Sequence, residues 1–478
     1  MPLLLLRPRQ IMKNQFFLTS ACVLAFSSLL VNNAESNALV IDKMAVVAED
    51  APMGQGPSGS SESLLPEENI LQEDGDLFGT KGGGYIHPFL SIAGEYTDNL
   101  FNVFTNETSN FLTTLSPGIW LAFPKTKEVP LAIAPNNSTA GGLPMSLPEY
   151  QGFERYNLYL LGALDFKYYS EDSELNDYDV NVEGFFKLNL RSGLSFQVID
   201  HYTRSQDRFD INNFIGVGGP SLRRYDSNIA IGNISWDITE KIGLKADYSN
   251  FYLDYDEKED DFLNRVDNAL SLFGIYTHSP RTSLFLEYRY IDISYDTAEL
   301  KDNDQNFIYG GINWVASTKT QVRFKGGYQT RDYKDDAVNE FSKDSDNSNN
   351  DGLALELDVK YMITDKTNLA LGLHHEIDET DSSTALDKRV LGATLRYNQE
   401  FYENFIGMLD LTYENADYNQ IVDPKRDDDR YIVRPALQYI FSDWLMAELA
   451  YTWEQRKSTE EIFEYDTNTV SLSLNSAL

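Results

Sequence analysis

The sequence of 478 residues contains a single cysteine, Cys22, which excludes a disulfide framework and a zinc site built from cysteines. Positive charge is also scarce, because 39 lysines and arginines stand against 74 aspartates and glutamates, for a formal net charge of −35. A chain this acidic lacks the basic surface that neutralises phosphates, so we expect no nucleic-acid partner. Beyond residue 40 no apolar run approaches the roughly 18 residues of a membrane-spanning helix, which excludes a helical transporter.

Aromatic residues are abundant instead, with 29 tyrosines and 27 phenylalanines, and long stretches alternate apolar with polar residues. From Asn368 to Ile377, for example, Leu369, Leu371 and Leu373 alternate with small or polar residues. Strict alternation is typical of a half-buried strand. The runs reach about ten residues, which is the length of a strand that crosses a bilayer at a tilt. A soluble β-sandwich would also have to hide its apolar faces against a second sheet.

Seven short turns separate the alternating runs, and longer loops rich in Asp and Asn, such as 332–350 and 417–429, lie between them. The turns fall at 191–193, 239–241, 279–281, 317–319, 364–366, 402–404 and 442–443. Outer-membrane barrels have this pattern of short periplasmic turns and long extracellular loops. We therefore predict an all-β fold, an antiparallel up-and-down transmembrane β-barrel of 18 strands over residues 85–478. Sixteen strands is the alternative, because the alternation is weakest at 224–237 and 304–317.

The N-terminal part of the chain differs from the barrel pattern. Residues 1–38 have the layout of a secretory signal peptide, since Arg7, Arg9 and Lys13 precede an apolar stretch that ends in small residues. Residues 39–84 are acidic and rich in Gly, Ser and Pro, so we expect a disordered periplasmic segment. Five prolines between residues 124 and 154 indicate a long connection, which the parity of the strands places on the periplasmic side.

Aromatic residues concentrate near the ends of the predicted strands. Toward the long loops lie Tyr168, Tyr169, Tyr248, Tyr252, Tyr288, Tyr290, Tyr328 and Tyr413. Toward the short turns lie Trp236, Trp314, Phe401, Phe405, Phe441 and Trp444. Two such bands are expected where a barrel meets the two headgroup layers of a membrane. The β-propensity of aromatic residues explains their abundance but not this sorting.

Charged side chains recur in the middle of the strands, on the face opposite to the apolar one. We predict that they line a pore. The candidates are Arg289, Arg323, Lys325, Lys360, Arg396, Arg434, Glu287, Glu356, Glu376, Asp410 and Glu448. A lumen of mixed charge would suit the passage of polar solutes or sugars. The alternative is a salt-bridge network that fills the barrel, because charged linings occur in barrels of every function.

Three segments near the start of the predicted barrel are distinctive. They are Gly94–Phe101 (GEYTDNLF), Leu115–Gly118 (LSPG) and Asn176–Asp179 (NDYD). These segments resemble the putative β-barrel porin family, whose members include outer-membrane proteins found with exopolysaccharide biosynthesis systems. The resemblance implies an outer-membrane barrel and an exit for a secreted polysaccharide. The sequence departs from the usual pattern at its last residue, Leu478, where such barrels have an aromatic residue.

The sequence thus predicts a channel of the bacterial outer membrane, either a passive porin or an exit conduit for a secreted polysaccharide. The alternative is a closed structural or adhesion barrel that acts through its acidic loops. We expect no enzyme, because the adjacent Asp200 and His201 point to opposite faces of one strand. We expect no catalytic residue, metal site or cofactor. The expected partners are outer-membrane lipid and lipopolysaccharide, the barrel-assembly machinery, and a polysaccharide or small polar solute.

Overall fold

The computed structural model describes residues 84–126, 136–143, 155–208, 222–334, 351–421, 425–442 and 444–477. These residues form one antiparallel sheet in which each strand pairs with the next one along the chain. Its strands are β1 (Gly84–Thr97), β2 (Asn110–Thr126), β3 (Tyr156–Tyr169), β4 (Asp177–Asn189), β5 (Leu194–Arg208), β6 (Leu222–Asp237), β7 (Ile242–Tyr255), β8 (Arg265–Ser279), β9 (Thr282–Tyr295), β10 (Asn303–Ser317), β11 (Thr320–Tyr333), β12 (Asp351–Thr364), β13 (Thr367–Asp378), β14 (Ala385–Tyr402), β15 (Phe405–Gln420), β16 (Asp427–Ser442), β17 (Leu445–Ser458) and β18 (Tyr465–Ala477).

The sheet closes on itself because β1 also pairs with β18. Nine consecutive residues of β1, Phe89 to Thr97, pair with Thr469 to Ala477 of β18. The described residues therefore form a closed barrel of 18 strands, which confirms the predicted architecture and rules out the count of 16. The two stretches of weak alternation form β6 and β10, and both strands pair fully with their two neighbours.

The short turns all lie at one end of the barrel, at the seven predicted positions. At the opposite end, β11 ends at Tyr333 and β12 begins at Asp351, as the long loop predicted there requires. The loop predicted at 417–429 is shorter than expected. β15 continues to Gln420, and Asp417 still pairs with Asp427 of β16. Polar residues on both strands concealed this pairing in the sequence, because the ladder needs only backbone groups.

The two faces of the strands differ as the alternation predicts. Leu286 and Ile308 point outward and are 69% and 66% exposed, whereas Glu287 points inward and is buried. On β13, Leu371 lies on the outer face and Ala370 on the inner face, opposite Arg396 of β14. The outer face is thus the apolar belt that an outer-membrane barrel presents to lipid.

Tyrosine hydroxyls line the outer face near the long loops, each bonded to a polar residue of the next strand. The pairs are Tyr202–Asp226, Tyr248–Asn268, Tyr288–Asn306, Tyr290–Asp304, Tyr413–Asp429 and Tyr451–Asn468, with lengths of 2.6–2.9 Å. An aromatic ring with a polar tip suits the headgroup level of a membrane. Tyr169 was wrongly placed in this band, because it points inward and is buried in a cluster with Leu100 and Leu112.

Short 3-10 helices interrupt the loops. In the described part of the chain, four lie at the end with the long loops: Ser173–Leu175, Lys258–Leu263, Glu299–Lys301 and Glu461–Phe463. A fifth, Ala140–Gly142, belongs to the connection between β2 and β3 at the opposite end of the barrel. This fifth helix is the element that matters most for the lumen.

The predicted signal peptide (1–38) and, apart from Gly84, the predicted acidic segment (39–84) lie outside the described residues. Both stay predictions. A helix long and apolar enough to span a membrane does not occur in the part of the chain that the structure describes.

Candidate functional site

All eleven predicted pore residues lie on the inner face of the barrel. Glu287 and Arg289 are on β9, Arg323 and Lys325 on β11, Glu356 and Lys360 on β12, Glu376 on β13, Arg396 on β14, Asp410 on β15, Arg434 on β16 and Glu448 on β17. They fall into a buried group and a group that reaches solvent. That they line a conduction path stays a prediction.

The buried group centres on Glu287, whose carboxylate binds two cations. Its Oε2 lies 2.7 Å from Nζ of Lys325, and its Oε1 lies 3.0 Å from Nη2 of Arg289. The side chains of Glu287 and Lys325 are both 0% exposed. Nζ of Lys325 also lies 4.2 Å from the ring centroid of Tyr309, and Glu356 is its partner in the pairing of β11 with β12. This arrangement matches the salt-bridge network that was the alternative to a pore lining.

Four further members of the predicted set extend from this centre along β11, β12 and β13. Glu356 and Glu376 are buried, and Arg323 lies opposite Asp358 where β11 pairs with β12. Lys360 is half-buried, nearer the short turns. Within this part of the predicted set, burial is greatest around Glu287, so these side chains fill the middle of the lumen, and it is lower at Lys360.

The second group forms a chain of alternating charges across four neighbouring strands, which we call the charge ladder (Arg396, Asp410, Arg434 and Glu448). Nε of Arg396 lies 2.9 Å from Oδ1 of Asp410, and Nη1 of Arg434 lies 3.6 Å from Oδ2 of the same carboxylate. Nη2 of Arg434 lies 2.6 Å from Oε1 of Glu448. The Arg396 side chain is 38% exposed although it points into the barrel. The ladder therefore contacts water in the lumen.

A segment that the sequence did not place in the lumen lies across from the charge ladder. We call residues 136–143 the inserted segment. The backbone N–H of Gly141 donates to Oδ2 of Asp267 at 2.8 Å, and Arg265 donates to the carbonyl oxygen of Thr139 at 3.1 Å. Arg265 and Asp267 are inward residues of β8 and are themselves paired, with Nε of Arg265 3.1 Å from Oδ1 of Asp267. The long connection thus starts and ends at the short-turn end but reaches into the barrel.

Apolar side chains fix the inserted segment in place. Ala140 packs in a cluster with Ile291 and Phe307, and Leu143 packs in a second cluster with Ile199 and Phe251. These partners lie on the inner faces of β5, β7, β9 and β10. A water-filled lumen would have polar residues there, so inward apolar residues on these strands were the sequence signal of a covering segment.

An extracellular loop covers the buried group. Glu379, at the start of the loop from β13 to β14, accepts hydrogen bonds from Tyr295 at 2.6 Å and Gln305 at 3.0 Å. Its Oε1 also lies 3.0 Å from Nη2 of Arg331. Lys301 of the loop from β9 to β10 donates to the carbonyl oxygen of Ser382 at 2.8 Å. Burial lowers the pKa of Lys301 to about 8.

A family model described as "Putative beta-barrel porin 2" matches residues 150–477. The chain belongs to this family. This porin is accordingly a protein of the bacterial outer membrane, and the family and fold indicate a channel rather than an enzyme. The match begins after β2, so of the three distinctive sequence segments it contains only Asn176–Asp179. An association of this porin with exopolysaccharide synthesis stays a prediction.

The barrel is also similar to solved structures of outer-membrane proteins from Pseudomonas aeruginosa. OpdK has a TM-score of 0.41 and 11% identity over 82% of this chain and 99% of its own. OccK2 (OpdF) in complex with glucuronate has a TM-score of 0.42 and 10% identity over 82% of this chain and 98% of its own. OprD has a TM-score of 0.41 and 12% identity over 84% of this chain and 98% of its own. No curated protein matches the chain.

The side chains of Asp200 and His201, the pair considered for catalysis, lie on opposite faces of the barrel wall. His201 points inward, and its Nδ1 lies 2.8 Å from Oε2 of Glu183. Asp200 points outward and accepts a hydrogen bond from Nδ2 of Asn228 at 2.8 Å. The two side chains therefore cannot act on one substrate from this conformation.

Proposed function

We propose that the porin is a narrow channel for small polar or charged solutes, and that the charge ladder sets its selectivity. The observation that carries this proposal is the solvent contact of Arg396 inside the barrel, while Lys325 and Glu287 of the buried group have none. A solute can interact only with groups that face water. The ladder is a charged part of the inner wall that meets this condition.

The alternation of sign along the ladder suits solutes that carry either charge. Arg396, Asp410 and Arg434 are partners across neighbouring strands, so a passing solute faces both signs of charge side by side and neither sign is held in one deep well. Conduction requires this kind of weak, repeated interaction. Because salt screens such interactions over about 8 Å at physiological ionic strength, the ladder can act only where the lumen is narrow.

The inserted segment and the loop from β13 to β14 provide the narrowing. Together they fill the side of the lumen formed by β7 to β11, as the contacts of Gly141 and Glu379 show. An unfilled barrel of 16 to 18 strands leaves an aqueous channel. We therefore propose that solutes pass on the opposite side, along β14 to β17, and that conductance is smaller than the strand number suggests.

A polysaccharide exit is a second form of the channel proposal. Polar walls of mixed charge suit a sugar polymer. The filled middle of the lumen, however, favours a channel for small solutes over an exit for a polymer. One observation favours the alternative function, a closed structural or adhesion barrel. Above the ladder, Arg430 and Glu454 are buried and paired, with Nη2 of Arg430 2.6 Å from Oε1 of Glu454.

The outer surface supports a proposal about partners. We propose that outer-membrane lipid and lipopolysaccharide contact the tyrosine band, since hydroxyl, amide and carboxylate groups there face the headgroup level. The barrel-assembly machinery is the proposed partner during insertion, because such barrels reach their membrane as unfolded chains with unpaired edges.

Single-channel recording in planar bilayers tests the channel proposal. We expect discrete current steps of low conductance from the purified, heat-modifiable barrel. Swelling of proteoliposomes in sugars of increasing size then separates the two forms, because a small-solute channel admits monosaccharides and excludes oligosaccharides. A folded barrel that gives no current steps and no swelling would overturn the proposal in favour of the closed barrel.

A further inference from the structure

The inner wall near β16 becomes more buried from the charge ladder toward the long loops. The side chain of Arg434, a ladder residue, is 15% exposed, whereas that of Arg430 on the same strand is 6% exposed. The side chain of Arg426, which comes just before β16, is 0% exposed. Inward side chains near the mouth of a wide barrel face water unless another segment lies against them. The wall above the ladder is therefore covered from the inside of the barrel.

The loop from β17 to β18 lies over this part of the wall. Its 3-10 helix, Glu461–Phe463, buries Phe463 to 5% exposure, while the neighbouring Ile462 is 51% exposed. The ring centroid of Phe463 lies 3.6 Å from Cζ of Arg426. Nε of Arg456, an inward residue of β17, donates to the carbonyl oxygen of Phe463 at 2.7 Å. The loop therefore folds against the inner wall and does not extend into solvent at Phe463.

Arg426 is also attached to the wall by contacts that do not involve this loop. Its Cζ lies 4.2 Å from the ring centroid of Tyr418 on β15, and its Nη2 lies 2.5 Å from Oδ2 of Asp428 on β16. The contact of Arg426 with Phe463 is instead a cation–π contact, which is weaker than a buried ion pair. A change at Phe463 therefore leaves the ion pair of Arg426 with Asp428 in place, and alters what covers the wall.

Directly above the charge ladder lies what we call the outer cluster (Tyr418, Arg426, Arg456 and Phe463). Three of its members are each eight residues along the chain from a ladder residue: Tyr418 from Asp410, Arg426 from Arg434 and Arg456 from Glu448. An even separation keeps side chains on the same face of a strand. At about 3.3 Å per residue, the two groups are roughly 26 Å apart along the strands. A solute that reaches the ladder from outside along β15 to β17 has to pass the outer cluster first.

We propose that Phe463 determines the size of the solutes that enter the path along the charge ladder, and that Arg426 and Arg456 position its ring at the outer entrance. This inference rests on the proposed function, because it assigns an entrance to that path. The selectivity of a pore depends on its width as well as on its charges. The ladder then acts on the charge of a solute, and the outer cluster acts on its size before it reaches the ladder.

Swelling of proteoliposomes in sugars of increasing size tests the role of Phe463. Phe463→Ala removes the ring, and Ile462→Ala, which shortens an exposed residue of the same 3-10 helix, is the matched control. We expect a disaccharide to enter at least about threefold faster through Phe463→Ala than through the wild type, because the entrance is wider. Ile462→Ala and Phe463→Tyr, which keeps the ring, should behave like the wild type. Equal rates for the two alanine variants, both heat-modifiable, would overturn the inference.

Arg456→Met gives a second test if Phe463→Ala does not fold, because it removes the donor to the Phe463 carbonyl oxygen and leaves the ring. We expect a smaller increase in the same direction, and an unchanged rate would overturn the inference.

The result for the wild type separates this inference from the proposed function. If the wild type conducts and Phe463→Ala has the same size limit, the channel stands and the role of Phe463 fails. If only Phe463→Ala conducts and swells, the role of Phe463 stands and the wild type is a closed barrel. If neither conducts, both proposals fail.

Discussion

The backbone N–H of Gly141 donates to the carboxylate of Asp267 at 2.8 Å, although the two residues approach the lumen from opposite ends of the barrel. Gly141 belongs to the connection at the short-turn end, and Asp267 is the third residue of β8 at the long-loop end. The inserted segment therefore contacts the wall of the lumen near the long-loop end. Its removal is a direct way to widen the channel.

Gly142→Val should displace the inserted segment. Gly142 has a φ of +72°, in the left-handed region that glycine favours, and a Cβ there would overlap the ring of Phe251. We expect the single-channel conductance to increase roughly twofold or more, because the filled side of the lumen becomes accessible to water. Gly162→Val is the matched control, since no atom lies within 4 Å of a Cβ at that position. Unchanged conductance in a folded Gly142→Val barrel would show that the segment does not limit the pore.

Exchanging both ladder arginines should change ion selectivity. Arg396→Glu together with Arg434→Glu reverses two charges that face water, so the reversal potential under a salt gradient should shift toward cations. The control is the double variant Lys319→Glu and Lys366→Glu, which makes the same charge change in two short turns. If control and ladder variants shift the reversal potential equally, the ladder is not the selectivity site.

Lys325 should affect stability rather than selectivity. Lys325→Met removes one of the two cations that bind the buried carboxylate of Glu287, and breaking a buried ion pair costs about 3 to 5 kcal/mol. We expect a loss of that order in the free energy of unfolding, measured by urea titration in lipid vesicles. Arg396→Met, at a partly hydrated pair, should cost less than about 1 kcal/mol. Similar losses for both variants would contradict the division into a buried group and a hydrated ladder.

The lipid face should reject charge where the inner face tolerates it. Leu371→Arg places a guanidinium in the apolar belt and should cost about 2 to 4 kcal/mol if it lies near the midplane. Ala370→Arg points into the lumen beside Arg396 and should cost much less. Urea titration of both variants measures the difference. Equal costs for the two variants would contradict the assignment of faces on β13.

Lys301 should make the stability of the extracellular loops depend on pH. Its pKa is lowered to about 8 in the folded protein, against about 10.4 in an unfolded chain. Between these values the unfolded chain binds more protons, so this residue makes the folded barrel more stable as the pH increases from 8 to 10. The free-energy difference between wild type and Lys301→Met should therefore change by up to about 3 kcal/mol over this range. A constant difference would mean that Lys301 is not desolvated.

The strands were predictable because their signals are local. Alternation around Leu371 assigns both faces of β13 from ten residues, and short turns such as 364–366 punctuate the chain at the same end each time. Even the weakly alternating β10 formed, since its neighbours on both sides provide complete ladders. A closed barrel follows from repeating these local units.

The contents of the lumen were not predictable by the same means. Whether Lys325 is buried or hydrated depends on segments that arrive from elsewhere in the chain, and alternation describes only the direction of its side chain. Glu379 was missed as a partner of Arg331 because it lies in a loop, where no periodic pattern applies. The apolar inward residues Ile199 and Phe251 were the one signal that something covers this part of the wall.

The pairing of β1 with β18 has a consequence for the order of biogenesis. Gly94 and Leu472 are partners in the ladder, so their contact cannot form until nearly the whole polypeptide has been synthesised and exported. Contacts between residues so distant in the chain form slowly. Until β1 pairs with β18, both strands expose backbone groups that can pair with any other strand. A newly exported chain of this porin is therefore prone to aggregation until β1 and β18 have paired. Loss of the final strand would leave an open sheet with the same exposed edges instead of a smaller barrel.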